Sequence, residues 1–337
     1  RHILHQGGLA ALGMRGIYVG GALVIVLVAV YAITSYVPIQ TLPSYTIEDP
    51  TIIGGVASIT YPPNYEELAQ YVLGLINQDR SSLGFQAVSM SVVPSGQQHA
   101  NSMLFFGYFS HWDTQGLKPY MRYSLLNGTG AVFENVAWQA QSPSRYASLN
   151  DLKSALVEMN VQMMYDDSSF NWEHRSNILD PNHGSVSLGI SYDEHNIYLV
   201  EDFENTFVNL TGPLGLSDDV LRIEGTTPST LYVTVAAVYM DATPANISVS
   251  ALRQDPQYTA SYDLGTEIGI VLPPSDYGIT GPPGTLSANA LTWQTGPGLV
   301  NLSLPMEPFI ASFGKGVYTV YLLRSDGEAI LSYTFFV

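Results

Sequence analysis

The chain has 337 residues, 46% hydrophobic and 12% charged, which fits a folded protein of about two domains rather than a disordered one. Its formal net charge is −17, with lysine only at Lys118, Lys153 and Lys315, so no basic surface is available to neutralise phosphates and nucleic acid is excluded as a partner. Cysteine is absent, which removes disulfides, thiolate nucleophiles and cysteine-based zinc sites.

The run IYVGGALVIVLVAVYAITSYV at residues 17–37 carries no charge and is long enough to cross a bilayer as a helix. Arg1 and Arg15 precede it, and the first acidic residue is Glu48. The positive-inside bias therefore puts residues 1–16 in the cytoplasm and everything after the span outside. The run is longer than the apolar core of a signal peptide and lacks a clear small-x-small cleavage site, so it reads as a retained anchor. Four Asn-x-Ser/Thr triplets, at Asn127, Asn209, Asn246 and Asn301, are candidate glycosylation sites of an exported chain.

Residues 38–63 contain Pro38, Pro43, Pro50, Pro62 and Pro63 and read as an extended stalk. Asn64 with Glu67 has the pattern of a capping box, and Leu68, Val72, Leu75 and Ile76 then follow at helical spacing. Ser95 with Gln98 predicts a second helix carrying His99, Met103 and Phe106 on one face. Ser148 with Asp151 predicts a third, with Leu152, Leu156, Met159 and Met163 as its buried stripe. Val186, Leu188, Ile190 and Tyr192 alternate as a strand, and the polar stretch 193–196 leads into a second strand at 197–203.

Helices followed by antiparallel strands predict an α+β domain over residues 64–209. Past the Gly/Pro-bearing stretch 211–215 the pattern becomes all-β, with strand-like runs at 230–239, 266–272, 316–323 and 329–336. The Asp326-Gly327 turn lies between the last two, and a β-sandwich domain over 216–337 is expected.

Polar residues gather in three places in the α+β domain: Tyr108-Phe-Ser-His111, Glu134-Asn135, and the stretch from Asp166 to Leu179, which includes His174-Arg-Ser-Asn-Ile-Leu179. These segments, in this order, resemble the signatures of the CAP superfamily, also called SCP-like, which includes cysteine-rich secretory, antigen-five and pathogenesis-related proteins. Phe109-Ser-His111 and His174 with Gly189-Ile190 are similar to prokaryotic members, and Met163-Met-Tyr with Asn171-Trp-Glu-His looks like an archaeal variant. The resemblance covers roughly residues 64–207. It implies an α-β-α sandwich with a cleft where two histidines and two acidic residues meet, a site that binds zinc in some members. Here the tetrad would be His111, Glu134, Asp167 and His174. The family's Trp-x-x-Glu motif is missing, so Asp166 and Glu173 remain alternatives for the fourth position.

Neutral imidazoles with carboxylates suit zinc or another divalent ion. Without metal, the same residues can form an acid–base pair. No Gly-x-Ser-x-Gly elbow is present, and no nucleophile stands out beside the histidines. Glu134 lies in an apolar run, where a charge needs a partner, and a histidine is the natural one. The remaining candidates have plainer readings. His99 packs in the core, His183 and His195 sit in solvated turns, and Arg175 pairs with Asp180 or an acidic residue of 166–173. Trp138, Trp172 and Trp293 are packing residues. The sequence thus points to a surface binding module at the cell envelope, with a protein, glycan or lipid as ligand. The alternative is a metal-dependent, peptidase-like hydrolase of envelope or extracellular substrates.

Overall fold

The computed structural model describes residues 59–337 apart from residue 213. The expected cytoplasmic segment 1–16, the membrane span 17–37 and most of the stalk 38–63 lie outside the described residues. Among the described residues, no helix is long and apolar enough to cross a membrane.

Helix α1 (Tyr65–Ser82) buries Leu68, Ala69, Val72 and Ile76. Its expected capping box does not form. Asn64 adopts a left-handed φ of 63° and makes no side-chain cap, while the backbone makes the turn, Tyr65 N–H donating to the Pro62 carbonyl at 3.1 Å. Asn tolerates that conformation better than most residues. At the far end the fully buried Arg80 donates to the carbonyls of Gln86, Ile178 and Asp180 at 2.7, 2.6 and 3.0 Å.

After the short strand β1 (Ser89–Met90), helix α2 (Ser95–Phe106) starts at Pro94 rather than on a Ser95 cap. The Ser95 hydroxyl donates instead to Asp202 Oδ2 at 2.5 Å. Helix α3 (Pro119–Leu125) opens with proline at its first position and buries Tyr120, Met121, Arg122 and Tyr123, as suits a residue with no N–H to satisfy. Strand β2 (Ala131–Ala140) follows, then helix α4 (Leu149–Tyr165), where the Ser148–Asp151 capping box is present and the expected stripe is buried. A single 3₁₀ turn (Ser168–Phe170) leads to helix α5 (Glu173–Leu179). Strands β3 (Ser185–Tyr192) and β4 (Asn196–Asn205) then form the expected antiparallel hairpin.

These strands form one sheet in the order β1-β3-β4-β2, with β1 parallel to β3 and the other pairs antiparallel. Both faces are covered, so β3 is buried along its whole length rather than on alternate residues. On one face Val186, Leu188, Ile190, Leu199 and Phe203 pack with α1 and α4. On the other face α2 lies directly on β3: a Cβ on Gly189 would come within 1.9 Å of the Gly96 carbonyl oxygen. Helices thus cover both faces of one sheet, the α-β-α layering that the resemblance implies.

The rest of the chain is dominated by strands: β5 (Asn209–Leu210), β6 (Gly215–Ser217), β7 (Val220–Thr226) and β8 (Val235–Asp241), short helices α6 (Val249–Gln254) and α7 (Pro256–Thr259), then β9 (Thr266–Leu272), β10 (Ser287–Asn289), β11 (Thr292–Gly296), β12 (Leu299–Pro305), helix α8 (Glu307–Phe313), β13 (Val317–Leu323) and β14 (Ala329–Phe336). They form two sheets, β10-β9-β8-β13-β14 and β11-β12-β7-β5, with β6 also on β7. One core joins them, with Ile223, Val300, Leu302 and Trp293 facing Val238, Val271, Val320 and Leu322. This is a sandwich.

Over the described residues the two halves belong to one compact unit and share buried contacts. Lys118 Nζ bonds Asp241 Oδ1 at 2.7 Å and also Asp263, and Tyr120 donates to Asp241 Oδ2 at 2.6 Å. Tyr108, Trp112 and Val136 pack with Leu252 and Tyr258 from the C-terminal half.

Candidate functional site

A cleft of about 1080 Å³ runs along β2. Residues 133–138 line it, with 109–111 and 258–262 on one side and 166–177 on the other. The wall at 258–262 comes from the C-terminal half: Ser110 Oγ donates to the Tyr258 carbonyl at 2.6 Å, and Tyr262 OH accepts the Glu134 N–H at 3.2 Å.

Glu134 and Asn135 are neighbours on a strand, so their side chains leave on opposite faces. Glu134 faces α2 and α3. Its Oε1 meets His111 Nδ1 at 2.9 Å, and its Oε2 meets His99 Nδ1 at 2.8 Å and Arg122 Nη2 at 2.7 Å. Burial alone would raise this carboxyl, but the fields of His99 and Arg122 and the bonds from both imidazoles outweigh it and hold Glu134 well below the usual carboxylate range. The guanidinium is the part of that field that does not depend on pH, because burial and Arg122 itself lower His99 and favour its neutral form. Asp202, the cross-strand neighbour of Glu134, is pushed well above its ordinary value by burial and then by the Glu134 charge. Its Oδ2 accepts from Ser95 at 2.5 Å.

Asn135 faces α5. Its amide donates to the His174 carbonyl and to Glu201 Oε2, each at 3.2 Å, and its oxygen accepts from Asn177 at 3.0 Å. His174 Nδ1 meets Asp167 Oδ1 at 2.6 Å, while Asp167 Oδ2 accepts the Arg175 N–H at 3.1 Å. Asp166 and Glu173 are exposed and line the same cleft.

His111 and His174 thus share one cleft, each with Nδ1 on a buried carboxylate. The imidazoles remain 13% and 15% exposed, against 0% and 1% for Glu134 and Asp167. A neutral ring that gives its Nδ1 proton to a carboxylate keeps a lone pair on Nε2, ready to accept a proton or hold a ligand. The two carboxylates orient the rings from behind, the usual place of an outer-shell partner. Among the described residues, no group of three or more His, Cys, Asp or Glu side chains could hold a metal ion. Two imidazoles alone fall short of the three or four protein donors of an ordinary zinc site.

Several plainer readings need correction. His99 is buried as expected, but its partners there are Glu134 and Arg122. His183 is buried between Asn205 and Asn177, at 2.7 and 2.9 Å, rather than solvated; its ring stacks on Phe203 at 5.2 Å. The Arg175 guanidinium donates to the Met164 carbonyl at 2.6 Å and lies 5.9 Å from the Tyr165 ring instead of pairing with an acid. Trp138 and Trp172 are 46% and 42% exposed, whereas Trp293 is buried as expected. Of the glycosylation candidates, Asn127, Asn209 and Asn246 are exposed and Asn301 is half-buried in β12.

No family model matches the chain, and no curated protein does. Among solved structures, the chain is similar to an extracellular protein containing an SCP domain from Bacillus anthracis, with 18% identity, a TM-score of 0.32, and 44% of this chain and 45% of that chain covered. It is also similar to the CAP domain of enterococcal PrgA, with 17% identity, a TM-score of 0.31, and 41% of this chain and 60% of that one covered. The matched part therefore spans about half the length of these two structures.

Proposed function

We propose that this chain is a membrane-anchored, extracytoplasmic protein of the CAP superfamily whose cleft binds a ligand at the cell surface. The observation that carries this reading is the pair of carboxylate-held imidazoles, His111 and His174, on one cleft. A ligand between them meets two Nε2 atoms whose orientation is fixed from behind, which favours recognition of polar groups at low entropic cost.

Ser110, the hydroxyl next to His111, is committed to the Tyr258 carbonyl and to the Trp112 N–H at 3.0 Å. That arrangement supports binding over nucleophilic turnover. The anchor reading rests on the apolar run at 17–37 and the arginines before it. A divalent ion would find two imidazoles and water here, and no step in this account depends on one.

The test uses the full chain in detergent against immobilised peptides and glycans, beside His111→Ala and His174→Ala. The proposal expects one ligand class to be retained by the wild type and lost in both variants. Hydrolysis of any of these ligands that His111→Ala abolishes would replace binding with the metal-dependent hydrolase, and zinc calorimetry would then follow.

A further inference from the structure

Strand β2 is an edge strand, paired with β4 alone. The hairpin fixes which of its main-chain groups face outward. Asp193 N–H donates to the Asn196 carbonyl at 2.9 Å, so the even residues of β4 bond to β3 and the odd ones to β2. By the register, residues 133, 135, 137 and 139 of β2 bond to β4, and residues 134, 136 and 138 turn their N–H and C=O groups away from the sheet. The Glu134 N–H is taken by Tyr262 OH, an independent sign of the same parity. The main-chain groups of Val136 and Trp138 have no partner among the described residues, and both residues line the cleft.

This free edge runs between the two histidines. Glu134 holds His111 on one face of the strand, and Asn135 holds the His174 carbonyl on the other. The charged lining is one-sided: Asp166, Glu173 and Asp180 join Glu134 and Asp167, and among the described residues no lysine or arginine lines the cleft.

Resting on the cleft-binding reading above, we infer that the ligand is an extended polypeptide segment carrying Lys or Arg, which adds as a strand to the free edge of β2 at Val136–Trp138 and lies between His111 and His174. Main-chain hydrogen bonds would supply affinity and the acidic rim its preference for cations. The exposed faces of Trp138 and Phe170 can take the cationic heads by cation–π contact.

Calorimetry on the full chain in detergent tests this with a capped octapeptide of alternating Lys and Val. N-methylation of four consecutive central residues blocks both peptide edges, whereas N-methylation of alternate residues leaves one edge free. The consecutive form should bind about tenfold weaker or worse, and the alternate form within about threefold of the parent. A Glu/Val octapeptide should lose at least about tenfold. Val136→Pro, which removes an outward N–H and no ladder bond, should weaken the parent peptide by a similar factor. Its circular dichroism and melting curve report whether it folds, and the N-methyl series decides the matter without it. Equal binding of the consecutively methylated or the acidic peptide, or no peptide binding, overturns the inference. Retention of a glycan by wild type but not by His111→Ala, with peptides unbound, also overturns it while leaving the cleft reading intact.

Discussion

The two histidines of the cleft are held by opposite kinds of structure. His111 rests on Glu134, a carboxylate inside the sheet, held by Arg122 and His99 and flanked by Asp202, whose carboxyl burial pushes well above its ordinary value. His174 rests on Asp167, which comes from the turn after α4, where Asn171 and Trp172 both adopt left-handed φ values of 54° and 63°. Beneath α5, Asn135 meets Glu201, which burial raises to about 7. One pair is therefore built into the core and the other onto its surface. The same side-chain constellation can then be costly to disturb on one side and cheap on the other.

The largest effect is expected at Glu134. Glu134→Ala leaves Arg122 buried without its counter-charge and takes a hydrogen-bond partner from His99, and urea unfolding should show a loss of about 3–5 kcal/mol. A loss below about 1 kcal/mol would erase the contrast between the two sides.

Glu201 tests the layer under the second histidine. Its folded-state pKa lies above the unfolded value near 4.5, so the native state holds a proton that the unfolded chain has released. Stability from this group is present below about 4.5, falls as pH rises to about 7, and stays low above that. Glu201→Gln should therefore raise stability by roughly 3 kcal/mol at pH 8 and leave it nearly unchanged at pH 4, read from denaturant midpoints at the two pH values. An equal effect at both would mean that burial is not what shifts this group.

Asp167→Ala sharpens the comparison from the cheap side. It removes one ring bond and one bond to the Arg175 N–H, so the expected loss is about 1–2 kcal/mol, with ligand retention affected more than melting temperature.

Much of this was legible in the residues. Ser148 with Asp151 marked the start of α4, the alternation from Val186 to Tyr192 marked β3, and His111, Glu134 and His174 all line one cleft. What stayed hidden depended on contacts distant in sequence. Tyr262 reaches Glu134 from the C-terminal half, and no local pattern announces such a wall. Arg122 sits in a short helix that hydrophobic spacing did not reveal. One signal was available: a carboxylate in an apolar run needs a cation, and between residues 64 and 134 only Arg80, Lys118 and Arg122 can supply a permanent one. The pattern Ser95-x-x-Gln98 misled because Asp202, about a hundred residues on, takes the serine hydroxyl.

The most direct test of the central claim is nitrogen NMR of imidazole-labelled full chain in detergent, with His111 and His174 assigned through His→Gln variants. In both rings the proton should sit on Nδ1, against its carboxylate, with Nε2 bare, and one bound ligand should perturb both Nε2 signals together. A proton on Nε2 in either ring, or a ligand that moves one histidine and leaves the other untouched, would contradict it.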